Sequence, residues 1–410
     1  SGTADVTQNT AEISGGSIGG SVYGGQNVGT GNADQNNVKL SGGSIAGSVY
    51  GGYAAGSGSA KDNSITITGG SIGHDIYGGY AAGGKTTGNT VNIGDGSHAL
   101  SAGTSIAGTI YGGNGADVKD NTLNVKTNAT AGNIAGFAKI KFELNGSLNS
   151  AQPMLRLTNG AATTGLDWAG VEAAPMPSHV TVKTYEPYQL TLMHNSAGLN
   201  FVQGGKDTYA PIGAKERIQG NLEFVIDTDS HAAQARSVYL SGYQFQNNTG
   251  AAYTAADGTH SAAWGGRTAV GNTVTNNKLT VSGGSLTDAA YGGLVENHKR
   301  NASGALPTGD AVKNTVILSS GANAAAVYGA DVRTRAGSAS ENRAEISGGT
   351  VTGNVYGAAL SADNASGSAT QNTAKVSGGS IGGNVYGASV PKTSGTADVT
   401  QNTAEISGGS

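Results

Sequence analysis

Ser14-Gly-Gly-Ser-Ile-Gly-Gly-Ser-Val-Tyr-Gly-Gly25 decides the fold, because the chain keeps returning to it. It recurs as Ser41 to Gly52 and as Thr68 to Gly79. With drift it recurs around Tyr111, Tyr291, Tyr328, Tyr356 and Tyr386. A supersecondary unit repeated at a period of some 30 residues predicts a stack of coils rather than a globule around a pocket. The aromatics Tyr23, Tyr50, Tyr77 and Tyr111 stand 27, 27 and 34 residues apart. A second array runs Trp264, Tyr291, Tyr328, Tyr356, Tyr386, at spacings of 27, 37, 28 and 30.

An Asn precedes each copy, four residues before an aliphatic side chain. The pairs are Asn9/Ile13, Asn36/Leu40, Asn63/Ile67, Asn89/Ile93 and Asn121/Val125, then Asn277/Val281, Asn314/Leu318, Asn342/Ile346, Asn372/Val376 and Asn402/Ile406. The residue midway is apolar, as at Val38, Ile65 and Leu123, and those between are mostly polar. Such period-two alternation describes a strand with one buried face, and parity places the Asn on that face. An inward amide is costly unless hydrogen-bonded. Identical amides at one position of successive coils meet that need together, as a ladder at the ~4.8 Å strand spacing. The Gly pair after the strand is expected to turn a corner with positive φ. Ile18 and Val22 are then read as one second inward strand, ended by the next Gly pair. The segments between copies, such as Gln26–Gln35, Tyr53–Asp62 and Leu294–Lys313, vary in length and are read as surface arms.

The domain reading follows. Residues 1–137 and 264–410 hold regular coils. Residues 138–263 hold five of the seven Pro and lose the rhythm. They are read as irregular coils with longer loops, the alternative being a small inserted β subdomain. Strand-like runs there are Ala138–Leu144, Met154–Leu157, Val180–Tyr185, Gln189–Met193, Leu222–Ile226 and Val238–Phe245. Ser1–Ser17 is identical to Ser394–Ser410, an offset of 393 residues. The expectation is a 393-residue unit repeated in tandem, of which this is an interior piece. The expected fold is all-β, a right-handed parallel β-helix (a β-solenoid) drawn out into an elongated rod, the hand following from the crossover rule. One period of about 14 coils would extend roughly 65 Å.

Composition narrows the partners. Charged residues are 12 % and the formal net charge is −4, which offers nothing to nucleic acid or an anionic membrane surface. No apolar run approaches a membrane span. With no Cys there are no disulfides, thiolate metal sites or Cys nucleophile. Ser, Thr, Asn and Ala dominate where a cytosolic chain has Lys and Glu, an extracellular character.

Asn-x-apolar-x-Ile-Ser-Gly-Gly followed by Val-Tyr-Gly-Gly resembles the repetitive passenger regions of bacterial autotransporter adhesins and giant surface-repeat proteins. The resemblance covers both arrays and, loosely, the middle. It implies an exported parallel β-helix at the bacterial cell surface, held in the outer membrane by a region outside this piece. The implied function is a structural and adhesive fibre serving reach, cell-cell or cell-surface adhesion and filament or biofilm cohesion. Its partners would be covalently or axially continuing copies, laterally associated fibres and a host or neighbouring-cell ligand. Passengers with protease activity carry a Gly-Asp-Ser-Gly context, which this chain lacks.

Candidate sites are few. Tyr23 should face opposite to Val22, hence outward. The aromatic column is read first as rings stacked on one another, and second as a binding stripe. The seven His (His74, His98, His179, His194, His231, His260, His298) show no metal-ligand spacing. Asp117 with Asp120, and Asp227 with Asp229, are weak Ca²⁺ candidates. His298-Lys-Arg300 is a basic patch in the longest arm. The rival function is a carbohydrate-binding or polysaccharide-cleaving β-helix. Cleavage needs acids converging at matching positions of adjacent coils. The outward positions hold Glu12, Lys39, Thr66 and Asn92 instead. The chain is therefore read as a non-enzyme, without cofactor or metal.

Overall fold

The computed structural model describes residues 2–145, 148–177, 180–202, 214–297, 308–392 and 395–410. The protein is all-β, a β-solenoid of parallel stacked coils. The chain divides into two units, and the middle of the sequence contributes to both. One holds residues 1–178, 190–212 and 226–240; the other holds 179–189, 213–225 and 241–410.

In the first unit each coil has three walls. Wall A is built from Thr10–Ile18, Asn37–Ile45, Ser64–Ile72, Thr90–Ile93 and Thr122–Val125, paired in parallel. Its register aligns Ala11, Val38, Ile65, Val91 and Leu123 in one column, and Ile13, Leu40, Ile67, Ile93 and Val125 in the next. From Val38 and Leu40 onward these side chains are almost wholly buried. Wall B is built from Val22–Asn27, Val49–Ala54, Ile76–Ala81 and part of Ser105–Asn114. Wall C is narrow, with Val6–Thr7 beside Ala33–Asp34 and Lys85–Thr87 beside Asp117–Lys119. The second unit repeats the plan, its wall C running Val274–Thr275, Ala311–Val312, Ala339–Ser340, Ser368–Thr370 and Asp398–Thr400. The arms are therefore more than surface loops, since those at Gln26–Gln35 and Leu294–Lys313 bring the short strands Ala33–Asp34 and Ala311–Val312 back to the stack.

Two corners differ from expectation. The strand carrying Ile13 continues through Gly15 and Gly16 to Ile18, with a register shift after Ile13 and Gly16 at φ 82°. Gly16 thus bulges a strand, and the chain leaves wall A at Gly19–Ser21, so Ile18 and Val22 sit on different strands. The second Gly pair does not end a strand either, because Val22–Asn27 runs through Gly24 and Gly25.

The irregular middle continues the stack. Lys139–Glu143 pairs in parallel with Thr122–Val125, and Val171–Ala174 pairs in turn with Lys139–Glu143. Leu155–Leu157 bridges Ala129–Ala135 and Tyr188–Val202. The run Val180–Tyr185 is not a strand. Its Thr184 carbonyl instead accepts the Trp264 N–H at 2.7 Å, and Tyr185 stacks on His260 with ring centroids 4.0 Å apart.

Candidate functional site: stacked asparagine and tyrosine columns

The corner between walls C and A has a fixed construction. The residue before each ladder Asn adopts a left-handed backbone: Gln8, Gln35, Asp62, Gly88 and Asp120 in the first array, Asn276, Lys313, Glu341, Gln371 and Gln401 in the second, with φ from 54° to 70°. That sharp turn aims the following Asn inward. Asn36 shows the result. Its Oδ1 accepts the Asn9 backbone N–H at 3.0 Å and the Asn9 Nδ2–H at 2.9 Å. Its own Nδ2 donates to the Val6 carbonyl at 2.9 Å and to Asn63 Oδ1 at 3.2 Å. Two donors and a two-lone-pair acceptor are thus all used.

The pattern continues from Asn63 to Asn89 and from Asn89 to Asn121, each at 3.0 Å. It stops at Asn121, whose Nδ2 turns to the Thr86 and Gly136 carbonyls. In the second unit Asn277, Asn314, Asn342, Asn372 and Asn402 are joined at 2.8, 2.9, 3.0 and 2.8 Å. Asn248, which the spacing rule missed, heads this column: its backbone N–H donates to Asn277 Oδ1 at 2.9 Å. A third buried polar column joins Asn133, Thr163 and Asn195, with Thr163 Oγ1 donating to Asn133 Oδ1 at 2.5 Å and Asn195 Nδ2 bonding Thr163 Oγ1 at 3.0 Å. Its members lie in dissimilar sequence, so no spacing announced it.

Wall B makes room for the amides. A Cβ added at Gly25 would stand 2.5 Å from the Asn36 amide, and one at Gly293 would stand 2.7 Å from that of Asn314. The Gly before it is constrained differently: a Cβ at Gly51 or Gly292 would stand 2.4 or 2.5 Å from the next coil's carbonyl oxygen.

The tyrosines form face-to-face columns on the outer side of wall B. Tyr23, Tyr50, Tyr77 and Tyr111 have centroids 4.9, 4.9 and 4.8 Å apart and planes within 6°. Tyr291, Tyr328, Tyr356 and Tyr386 follow at 5.2, 4.7 and 5.0 Å. Most of these rings are half-buried, and Tyr291 is buried. Trp264 is in register with Tyr291, and the Arg267 guanidinium lies 4.6 Å from its ring. A second column, Tyr53 on Tyr80 at 5.0 Å, abuts the first edge-on. The spacing Tyr-Gly-Gly-Tyr was in plain view in the sequence. Arg333 anchors Tyr291, donating to its hydroxyl at 2.9 Å while pairing with Asp331 at 2.8 Å and Glu296 at 3.0 Å. Burial pushes the Tyr77, Tyr291 and Tyr328 phenols above the ordinary tyrosine value, so they stay neutral. Burial likewise raises the Asp331 carboxyl, against the opposing pull of Arg333.

The geometry decides what the columns can do. A sugar stacks on an exposed ring face, and neighbouring rings cover both faces of the inner rings Tyr50, Tyr77, Tyr328 and Tyr356. Those four offer only edges and hydroxyls to solvent.

The remaining candidates are dispersed. His98 bonds Asp95, His194 bonds Ser237 and His231 bonds Asp227, at 2.9, 2.9 and 2.6 Å. Asp117 pairs with Lys85 and Lys119, and Asp229 accepts the Arg236 backbone N–H. Among the described residues no group of three or more His, Cys, Asp or Glu converges on a common point. His179 and the patch His298-Lys-Arg300 lie outside the described residues. One carboxylate pair escaped the sequence reading. Asn272 Nδ2 bridges Glu216 at 2.5 Å and the wholly buried Glu223 at 2.7 Å, and burial raises the Glu223 carboxyl above the ordinary glutamate value.

No family model, curated protein or solved structure matches this chain.

Proposed function

We propose that the protein is a unit of an extracellular bacterial surface fibre, non-enzymatic, whose work is reach and cohesion. One observation carries this reading. The duplicated segment makes, in its two copies, complementary halves of one coil's contacts. In the copy at Ser1–Ser17, Asn9 donates forward to Asn36, and Thr10–Ile13 pairs with Asn37–Leu40. In the copy at Ser394–Ser410, Asn402 accepts from Asn372, and Thr403–Ile406 pairs with Thr373–Val376. Laid on one another, the copies make a single coil bonded on both sides, so a following 393-residue period would join without a break in the asparagine column or in the pairing of wall A. Ile406 is 66 % exposed, and such a junction would bury it.

Adhesion to other fibres or to a cell-surface ligand would then fall to the arms and outer walls, since the interior is given over to stacking. The test is a protein carrying two consecutive periods. Hydrogen exchange at the junction should show Ala404–Ile406 protected as strongly as Val38–Leu40, and images should show density continuing along the axis through the junction. Fast exchange there, or two separate bodies on a flexible tether, would refute the fibre reading.

A further inference from the structure

The outer face at Ala129–Ala135, Leu155–Leu157 and Tyr188–Val202 carries a feature that stacking does not need. Register sets Thr130, Arg156 and His194 side by side on three successive strands. Beside them opens a cavity of about 270 Å³, lined by Ser101, Thr104, Thr130, Gln152 and Arg156, with Leu100 and Pro153 as its apolar part. Arg156 has five N–H donors. Among the described residues it makes one hydrogen bond, Nη2 to the uncharged Gln152 Oε1 at 3.3 Å, and no ion pair. The rim is held in place: Asn128 Nδ2 donates to the Asn149, Gln152 and Pro153 carbonyls, each at 3.1 Å, and its Oδ1 accepts the Asn149 N–H at 2.7 Å. Thr104 Oγ1 donates to the Ser101 carbonyl at 2.6 Å, tightening the opposite side. His194 is fixed through Nδ1 to Ser237 Oγ at 2.9 Å.

We propose that this cavity binds one acidic sugar residue, its carboxylate on Arg156 and its hydroxyls on the Ser101, Thr130 and Gln152 side chains. A guanidinium with N–H donors to spare beside one weak amide bond selects a planar carboxylate in bidentate geometry. Hydroxyl and amide groups around a small apolar patch suit a pyranose, which shows both hydroxyls and C–H faces. The volume lies just under the range of drug-sized sites, so it admits a single ring. This inference stands apart from the fibre reading, since coils stack whether or not the cavity is filled.

The test is calorimetric titration of the whole 410-residue chain with sodium glucuronate, glucose and an acidic dipeptide. Glucuronate should bind saturably by about 10 mM, with glucose and the dipeptide at least about tenfold weaker. Arg156→Gln should weaken glucuronate about tenfold or more, with thermal unfolding unchanged. Arg236→Gln, in a different surface cavity, should leave binding as it was. Absent glucuronate binding, glucose binding as well, or indifference to Arg156→Gln would overturn the proposal. Equal binding of the dipeptide would assign the cavity to a peptide carboxylate instead, and equal loss in Arg236→Gln would place the ligand elsewhere.

Discussion

Two adjacent glycines on wall B should respond to the same mutation very unequally. A Cβ at Gly292 would lie 2.5 Å from the Gly329 carbonyl oxygen and 2.8 and 2.9 Å from the Thr315 backbone. All three are backbone atoms, the first on the strand paired with that of Gly292 and the others on the strand Thr315–Leu318. Relieving the contact to about 3.3 Å requires the coils to part by roughly 0.8 Å, which stretches ladder bonds past the hydrogen-bonding range. Losing two such bonds at about 1 kcal/mol each, with overpacking of 1–3 kcal/mol, sets the cost of Gly292→Ala near 3 kcal/mol, after about 0.5–1 kcal/mol is regained from the unfolded chain. At Gly293 the Cβ would meet side chains, the Asn314 amide at 2.7 Å and Val274 Cγ1 at 3.1 Å. The molecule already contains the outcome: in register with Gly293 the next coils carry Ala330, Ala358 and Ala388. Asn342, facing Ala330, still donates to Ala311 O at 2.8 Å and Asn372 Oδ1 at 3.0 Å. Gly293→Ala should therefore fall within about 1 kcal/mol of the parent. Urea unfolding, with hydrogen exchange at Ala289–Tyr291 and Val327–Tyr328, measures both. Equal costs, or a Gly292→Ala within about 0.5 kcal/mol of the parent, would refute the close-approach argument.

Other consequences follow from the same geometry. Asn314→Asp turns two donors into acceptors facing Val274 O and Asn342 Oδ1, and should cost about 3 kcal/mol or more by urea unfolding, whereas Asn9→Asp at an exposed position should cost under about 1 kcal/mol. Gln371 has φ 56° and an exposed side chain; Gln371→Gly should stabilise by about 1 kcal/mol, as Gly88 at the equivalent corner suggests, and a loss of stability would contradict the left-handed corner. Glu223 has its carboxyl raised, first by burial. Its contribution is full below the unfolded value and is lost as pH rises through the folded one. The stability of Glu223→Gln relative to the parent should therefore climb as pH rises from the unfolded carboxylate value toward neutrality, and a pH-independent difference would exclude a buried titrating carboxyl.

The period-two alternation made wall A legible, and parity alone placed the Asn inward, because a strand offers its side chains only two directions. The corner before that Asn was hidden. It is a backbone event occupied by Gln, Asp, Gly, Lys, Glu and Asn in turn, which share no one side-chain chemistry. Wall C was hidden for a related reason. Its strands are two or three residues long, as at Ala33–Asp34 and Ala311–Val312, too short for periodicity to show. The Gly pairs misled because composition does not separate their uses. Gly16 takes a positive φ at a bulge, while Gly24 is excluded from having a Cβ by the carbonyl of Gly51, 2.5 Å away. Three-dimensional stacking, absent from any single repeat, creates the second constraint.

The two kinds of column divide the work of specifying the stack. Apolar columns such as Val38, Ile65 and Val91 supply driving force, but aliphatic contacts tolerate sliding and reversal. The Asn columns tolerate neither. Every described bond between rungs runs the same way, from the Nδ2–H of the earlier coil to the Oδ1 of the later one, between Asn9 and Asn121 and between Asn277 and Asn402. Reversing a coil would set donor against donor. Slipping it by one residue would turn the amide outward and a polar neighbour such as Lys39 inward. Each error strands buried polar groups at about 1–3 kcal/mol apiece. The tyrosines add a second register mark outside, because rings about 4.9 Å apart stack only when the coils are aligned. Parallel, in-register addition is thus the one arrangement that satisfies both columns, which is the property a fibre assembled from like coils requires.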